Sequence, residues 1–544
     1  MSTGLARPAR IRQIERQQFD LIVIGAGING AGIARDGARR GLRVLLLEQQ
    51  DIAAGTTAFS TRLIHGGLRY LEYGEVGLVR ESLRERERLL RIAPHLVTPL
   101  PFLLPLYTGA RRGPALIRLG MLAYDLLSFD KSLPRHRLLS AAEALACEPG
   151  LNAAGLRGAA LYSDAQVTFP ERLTLENALA ARHHGATLLT YAEVDRLIRS
   201  GNRITGVHFR DRLGGGDHSA HGSLVINVAG PWVDRLLEPL AEPSLIGGTK
   251  GSHLVVRPFA GAPSSALYVE ATQDRRPFFI VPWNGQYLIG TTDIPYHGDP
   301  GQAAPNAAEI EYLLDETNRV IPNAGLTPAD VCYAYAGVRP LPRVEQTDTA
   351  GITRRHIVHD HAPSTEGLIS IVGGKLTTYR SLAEAVIDLS FRKLHRIAPR
   401  CTTGSVPLPG AAGVDWPAFA ATFRAASGLD AVTAERLLRI YGSAAWEIVR
   451  LARAEPELGQ AFDPESGALG AEIVHAVRCE GAETLSDILL RRTMVGLGPD
   501  AGRSALEAAA RIAVTCLGWD EARVGRDMEA YRALADRHAP SGRV

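Results

Sequence analysis

The sequence predicts an α/β protein in which a parallel sheet opens the chain, an antiparallel sheet follows and an all-helical domain closes it. Three observations carry this. Near the N-terminus an apolar run, a glycine-rich turn, a helical segment and a second apolar run succeed one another. Through the middle, alternating segments are separated by turn residues, and beyond residue 400 the pattern becomes helical.

Residues 21–24, LIVI, have the length and type of a buried parallel strand. Gly25, Gly27 and Gly30 follow in G-x-G-x-x-G spacing. The first lets the chain turn sharply, the second lets a pyrophosphate approach the backbone, and the third lets helix and strand pack closely. The helix start then offers free N–H groups to phosphates. A second buried run, 44–47, ends in Glu48, where an acid can accept hydrogen bonds from an adenosine ribose. Strand, glycines, helix, strand and acid in that order make a dinucleotide site.

After Glu48, Gly55-Thr56-Thr57 and Ser60-Thr61 offer hydroxyls and unhindered amides beside that site, and His65-Gly66-Gly67-Leu68-Arg69-Tyr70 follows. Residues 76–96 read as a helix with mostly solvated charges. Residues 96–107 are the most apolar stretch, but Pro99, Pro101 and Pro105 break it, so no membrane span is expected. Residues 109–137 carry six basic and two acidic side chains, a net +4, around Leu116, Ile117, Leu119, Leu122, Leu126 and Phe129. Such a segment can lie in a membrane interface or serve as a core helix with a basic end.

Residues 187–197, 203–210 and 223–228 read as strands, the last running into Ala229-Gly230 as in flavoproteins whose chain returns to the nucleotide sheet. Lys250-Gly251-Ser252-His253 leads into another strand. Residues 278–283 and 287–292 form a hairpin on Asn284-Gly285, ending at Thr291 and Thr292. Arg339 precedes a proline. A strand at 369–372 runs into Gly373-Gly374-Lys375-Leu376-Thr377, read as a helix start suited to a flavin pyrimidine edge. A proline-rich linker follows residue 399, and 401–544 reads as a helical cap that carries Glu480, Glu483, Asp487, Arg491 and Arg492, its charges expected to be mostly solvated. Residues 1–18 read as a disordered basic arm, and 19–400 as interleaved cofactor and substrate domains.

At 544 residues the chain is long enough for two or three domains, and 46% apolar content supports a sizeable core. A net charge of +2 argues against nucleic-acid binding. The five cysteines are scattered without a C-x-x-C pair, which argues against a disulfide framework or a metal site and suits a reducing cytoplasm. No signal peptide is read.

The motifs GAGINGAGIARDGARRG, TRLIHGGLRYLE, KGSH, IVPWNGQYLIGTTDIPY, GVRPL and VGGKLTTYR, with RCEGAETLSDILLRRT near the C-terminus, together resemble the FAD-dependent glycerol-3-phosphate dehydrogenases. Departures are small: Thr61-Arg62 replaces a common Ser-Lys, the loop at Gly55 is a variant of a serine-rich one, and the calcium-binding extension of animal members is absent. The resemblance implies a Rossmann-like FAD domain of glutathione-reductase type, an antiparallel substrate sheet and a helical cap. It implies oxidation of sn-glycerol 3-phosphate to dihydroxyacetone phosphate by hydride transfer to flavin N5, with electrons passed to membrane quinone. The expected setting is cytoplasmic, peripheral on the anionic inner face of the cytoplasmic membrane, with a homodimer as the assembly.

Carried onto this sequence, FAD contacts are expected from Gly25, Gly27, Asn29, Gly30, Glu48, Thr56, Thr57, Thr61, His65, Gly66, Gly67, Ala229, Gly230, Gly374, Lys375, Leu376 and Thr377. Substrate contacts are expected from Arg69, Tyr70, Thr291, Thr292 and Arg339. A phosphate dianion calls for arginine's fork of donors. His253 and His65 are both candidates for the base, since imidazole titrates near neutrality, and Lys375 for electrostatic support. The alternatives are an oxidase that makes hydrogen peroxide, a more distant amine- or amino-acid-oxidase-like enzyme, and a flavin-binding protein without turnover.

Overall fold

The structure, a computed structural model, describes residues 6–110, 112–240, 242–343 and 355–539. Its first sheet has a parallel centre in the order Leu368–Val372, Asp217–Asn227, Gln18–Ile24, Val44–Leu47, Thr187–Leu189. Both faces are covered, which is why these strands read as continuous apolar runs. Leu21 and Val23 pack with Ile33, Ala34 and Val386 of the helices Ile28–Arg39 and Tyr379–Lys393. Ile22 and Ile24 pack on the opposite face with Val207 and Phe209 of the hairpin Ala192–Ser200/Arg203–Asp211.

That second cluster also takes Ile11 and Ile14. The expected disordered arm is instead, over Arg7–Arg16, a helix. Burying two isoleucines contributes roughly 1.5–3 kcal/mol each, and Arg7 pairs with Asp211 at 2.9 Å. The buried stripe, together with ion pairs from Arg7 and Arg10, docks this basic helix on the rest of the chain.

The second sheet is mostly antiparallel, in the order Ile294–Pro295, Thr249–Val256, Gln286–Gly290, Pro277–Trp283, Ala266–Glu270, Val97–Tyr107, Leu156–Val167, Leu63–Ile64. Val331–Arg339 also pairs with Thr249–Val256 and sets Tyr335 opposite His253. The hairpin Pro277–Trp283/Gln286–Gly290 turns on Asn284 and Gly285, both with positive φ, as a tight two-residue turn requires.

The C-terminal region is helical apart from the short strand pair Ala461–Asp463/Ala468–Leu469. Its charges are not solvated where it meets the rest of the chain. Glu480 is bound by both terminal nitrogens of Arg172 at 2.7 Å. Asp51, in the loop after the second strand, receives Arg491 at 2.7 Å and Arg492 at 2.8 and 2.9 Å. All five side chains are buried, and removing one partner from such a pair costs about 3–5 kcal/mol. The helix Val76–Ile92 corrects the reading in the same way: Glu85, Arg86 and Glu87 are buried.

Candidate active site

A cavity of about 340 Å³ opens over the carboxyl ends of the parallel strands. Its floor is the glycine turn. Gly25 has φ +105°, and a Cβ there would lie 2.6 Å from the carbonyl oxygen of Val228, while one on Gly30 would lie 1.8 Å from that of Gly25. The helix Ile28–Arg39 has Gly27 as its N-cap, and the cap bond comes from outside: Ile28 N–H donates to the Thr57 hydroxyl at 3.1 Å. Glu48 accepts from the backbone N–H of Ala26 (2.7 Å) and of Gln50 (2.9 Å), so the acid is fixed against the turn. Burial pushes its carboxyl above the ordinary range, and the two N–H groups oppose that shift. Asn29 donates to Gly373 O at 3.3 Å, leaving its buried side-chain oxygen without a hydrogen bond.

A second recess of about 210 Å³ shares Thr61, His65, Tyr70 and Arg339 with this cavity and adds Arg69, Arg276, Thr291 and Asp293. Its cations are pre-set. Arg339 donates to Asp293 Oδ1 at 3.0 Å, to the Thr291 hydroxyl at 2.9 Å and to Thr292 O at 3.2 Å. Arg276 donates to Asp293 O. Arg69 donates to the Tyr73 hydroxyl at 3.3 Å. The Lys375 ammonium lies 3.7 Å from the centre of the Tyr70 ring, a cation–π contact.

Both histidines are held neutral. Burial, opposed by Asp164 and helped by Lys375 and Arg86, brings His65 down to about 4. Burial and then Arg339 and Arg62 push His253 well below its ordinary value. His253 is stacked on Tyr335 at 5.1 Å, and its Nε2 lies 2.9 Å from the Thr61 hydroxyl.

A family model described as FAD dependent oxidoreductase matches residues 20–380, and one described as the C-terminal domain of alpha-glycerophosphate oxidase matches 401–524. Over 540 residues the chain is 46% identical to a glycerol-3-phosphate dehydrogenase of Synechocystis sp., covering 97% of this chain and 98% of the relative. The chain belongs to the FAD-dependent glycerol-3-phosphate dehydrogenase family. Glycerol-3-phosphate dehydrogenase 2 of Mycobacterium tuberculosis is 37% identical over 96% of this chain and 89% of its own. The solved glycerol-3-phosphate dehydrogenase of Bacillus halodurans, complexed with FAD, superposes with a TM-score of 0.80 at 29% identity, covering 99% of each chain. FAD is the cofactor of the family, and the glycine cradle, with Glu48 behind it, fits a dinucleotide.

For a member of this family the residues expected from the sequence converge to different degrees. Gly25, Gly27, Asn29, Gly30, Glu48, Thr56, Thr57 and Thr61 line the cavity, as do His65, Ala229, Gly230, His253, Gly374, Lys375, Leu376 and Thr377. Tyr70 and Arg339 line cavity and recess, and Gly67, Arg69 and Thr291 line the recess. Thr292 and Gly66 line neither space. The Thr292 hydroxyl turns inwards, accepting from Ser252 N–H and donating to Glu309. Gly66 lies behind the wall, its N–H on the Tyr124 hydroxyl. Residues 373–375 are irregular and 376–378 form a turn, so the helix starts only at Tyr379. Asp293, which braces Arg339, and Arg276, which donates to the Asp293 carbonyl, were missed; Asp293 directly follows the threonine pair and could have been read from that. Among the described residues one group could hold a metal, Glu447, His475 and Cys479, and none of the three lines the cavity or the recess.

Proposed function

We propose that the protein oxidises sn-glycerol 3-phosphate to dihydroxyacetone phosphate and passes the electrons to membrane quinone. The observation that carries the substrate reading is the recess itself: Arg69, Arg276 and Arg339 surround a space that borders the cofactor cavity and shares Thr61, His65, Tyr70 and Arg339 with it. When bound, FAD supplies the hydride acceptor at N5. The protein's part is to hold and to deprotonate. Arg69 and Arg339 grip the phosphate, with Asp293 and Thr291 fixing the Arg339 fork. A neutral imidazole takes the proton of the C2 hydroxyl, and His65, which lines both spaces, is the better placed. His253 lines the cavity alone. Lys375 offsets negative charge that builds beside Tyr70. The deciding assay is anaerobic dye reduction with glycerol 3-phosphate, glycerol and NADH as separate donors. Bleaching by NADH alone would end this reading, and peroxide formed in step with oxygen uptake would move it to an oxidase.

Replacing Arg339 by alanine removes charge-assisted hydrogen bonds worth roughly 1.5–3 kcal/mol, an expected loss of about 10- to 150-fold in kcat/KM. Unchanged kcat/KM in a folded, flavin-loaded variant would exclude Arg339 from phosphate binding.

The membrane reading rests on the helix Pro114–Leu127, which exposes Leu116, Leu119, Leu122 and Leu126, the last at 74%. Phe129 beyond it is 75% exposed. No helix among the described residues is long and apolar enough to cross a membrane, and a contiguous apolar face of this kind calls for a partner. The basic contribution is smaller than the sequence suggested. Arg112 is bound by Glu72 and Glu270, and Lys131 by Asp125, while Arg111 lies outside the described residues. Docking therefore relies mainly on leucines, each contributing roughly 1.5–3 kcal/mol when buried. The triple variant Leu119→Glu/Leu122→Glu/Leu126→Glu is expected to lose sedimentation with anionic liposomes and quinone reduction while keeping dye reduction. Liposome binding like that of wild type would place the membrane contact elsewhere.

A further inference from the structure

The helix Pro114–Leu127 has an inner face as well as an outer one. Ile117, Met121 and Tyr124, at i, i+4 and i+7, point inwards and are buried. The Tyr124 hydroxyl donates to Asp164 Oδ2 at 2.7 Å and accepts from the backbone N–H of Gly66 at 2.9 Å. Asp164 is anchored in turn by Arg86 at 2.5 Å. Gly66 sits between His65, which lines both cavity and recess, and Gly67, which lines the recess. The approach is close: a Cβ on Gly66 would lie 2.4 Å from the tyrosine oxygen. Without that oxygen, the Gly66 N–H has only Asp164 Oδ1 at 3.4 Å, a long and weak bond. Neither Tyr124, Asp164 nor Arg86 lines the cavity or the recess, so the substrate motifs alone do not account for them. Burial beside Asp164 keeps the phenol protonated far above its usual range, so it remains a donor at any working pH.

We propose that Tyr124 is a positioning residue: through its hydroxyl the helix that presents leucines to the outside fixes the His65–Gly67 turn, so that seating this helix on a lipid surface is felt at the substrate recess. The second half rests on the membrane reading above; the first does not. A rigid helix that bonds the turn on one side and meets lipid on the other links the two without a further moving part, because a packed interior transmits a displacement. Lipid-free and lipid-bound enzyme then differ in the placement of one backbone N–H, and with it the imidazole next to it.

The test compares flavin-loaded wild type, Tyr124→Phe and Ser128→Ala. Ser128 donates to Tyr124 O at 2.8 Å on the same helix, so its loss weakens the helix end without touching Gly66. In the soluble dye assay Tyr124→Phe is expected to lose roughly 5- to 30-fold in kcat/KM, the scale of one or two buried hydrogen bonds, and to shift the flavin absorbance band. Ser128→Ala is expected to lower the melting temperature with kcat/KM and spectrum unchanged. Vesicles of phosphatidylglycerol are expected to change the dye-reduction rate of wild type and to leave that of Tyr124→Phe unchanged, although both sediment. A folded Tyr124→Phe with wild-type kinetics overturns the positioning role, and so does a Ser128→Ala that loses as much activity as Tyr124→Phe. A rate response to vesicles retained in Tyr124→Phe, or absent from a sedimenting wild type, overturns the coupling. Wild type that fails to sediment overturns the docking half together with the membrane reading, and kcat/KM of Tyr124→Phe still decides the other half.

Discussion

Replacing His65 with glutamine is expected to give a folded, yellow protein whose kcat for glycerol 3-phosphate falls by about 10²- to 10⁴-fold, the range a positioned general base supplies. The imidazole lines both the cavity and the recess, and burial holds it down at about 4. At neutral pH it is therefore already deprotonated and ready to accept. The sign follows from that depression. Wild-type kcat should be level from pH 8 downwards and fall as pH drops through about 4, and the variant should lack this acid limb. Stability has the same direction, because the unfolded imidazole binds its proton near 6.5 and the folded one near 4. The neutral ring's contribution is complete above about 6.5 and is lost as pH falls from there through 4. A kcat profile by dye reduction, with melting temperatures alongside, measures both. A glutamine variant within about threefold of wild type would show that His65 is not the base and would pass the role to His253.

The other large effect is expected at Gly30. Its alanine variant should purify colourless, because the added methyl group meets the carbonyl of Gly25 at 1.8 Å, backbone against backbone, where no rotamer can relieve the clash. Either the turn opens, removing the phosphate-binding N–H groups from register, or the helix Ile28–Arg39 lifts from the strand. Overpacking of this kind costs about 1–3 kcal/mol in its own right. Loss of bound flavin then removes the ligand's additional stabilisation, which mass action sets at about 2.7 kcal/mol for a hundredfold excess over Kd. Visible absorbance of the purified variant and its melting temperature with and without added FAD decide the matter. A fully flavin-loaded Gly30→Ala protein would mean that the pyrophosphate does not rest on this turn.

What could be read in the sequence was local. The run 21–24, the three glycines and Glu48 lie within one strand–helix–strand unit, so their spacing alone implied their geometry, and Asn284-Gly285 announced its hairpin for the same reason. The charges were misread because their partners are remote. Arg491 and Arg492 look like solvated helix residues until Asp51 is placed beneath them, 440 and 441 residues away in sequence. Arg112 looked like a lipid-facing cation, but Glu270 is 158 residues further on. Thr292 is chemically indistinguishable from Thr291 in the motif; only the alternation of side chains near the strand end sends one to the recess and the other to Glu309. Pattern gives the fold, whereas the pairing of buried ions depends on how the elements are packed.

The pairing at Asp51 also bears on how the protein is made. Ala53, two residues on, donates its N–H to Ala26 O, inside the glycine turn, so the loop that carries Asp51 is part of the cofactor cradle. At about 5–20 residues per second, its two arginines emerge from the ribosome roughly 20–90 s after the carboxylate. Throughout that interval Asp51 has no countercharge to justify its burial, and the loop is better hydrated than packed. The nascent cradle therefore waits for the last part of the chain, and a flavin that arrives early meets a half-built seat. Completion of the cradle is thus tied to docking of the C-terminal helices, which carry the countercharge of Asp51.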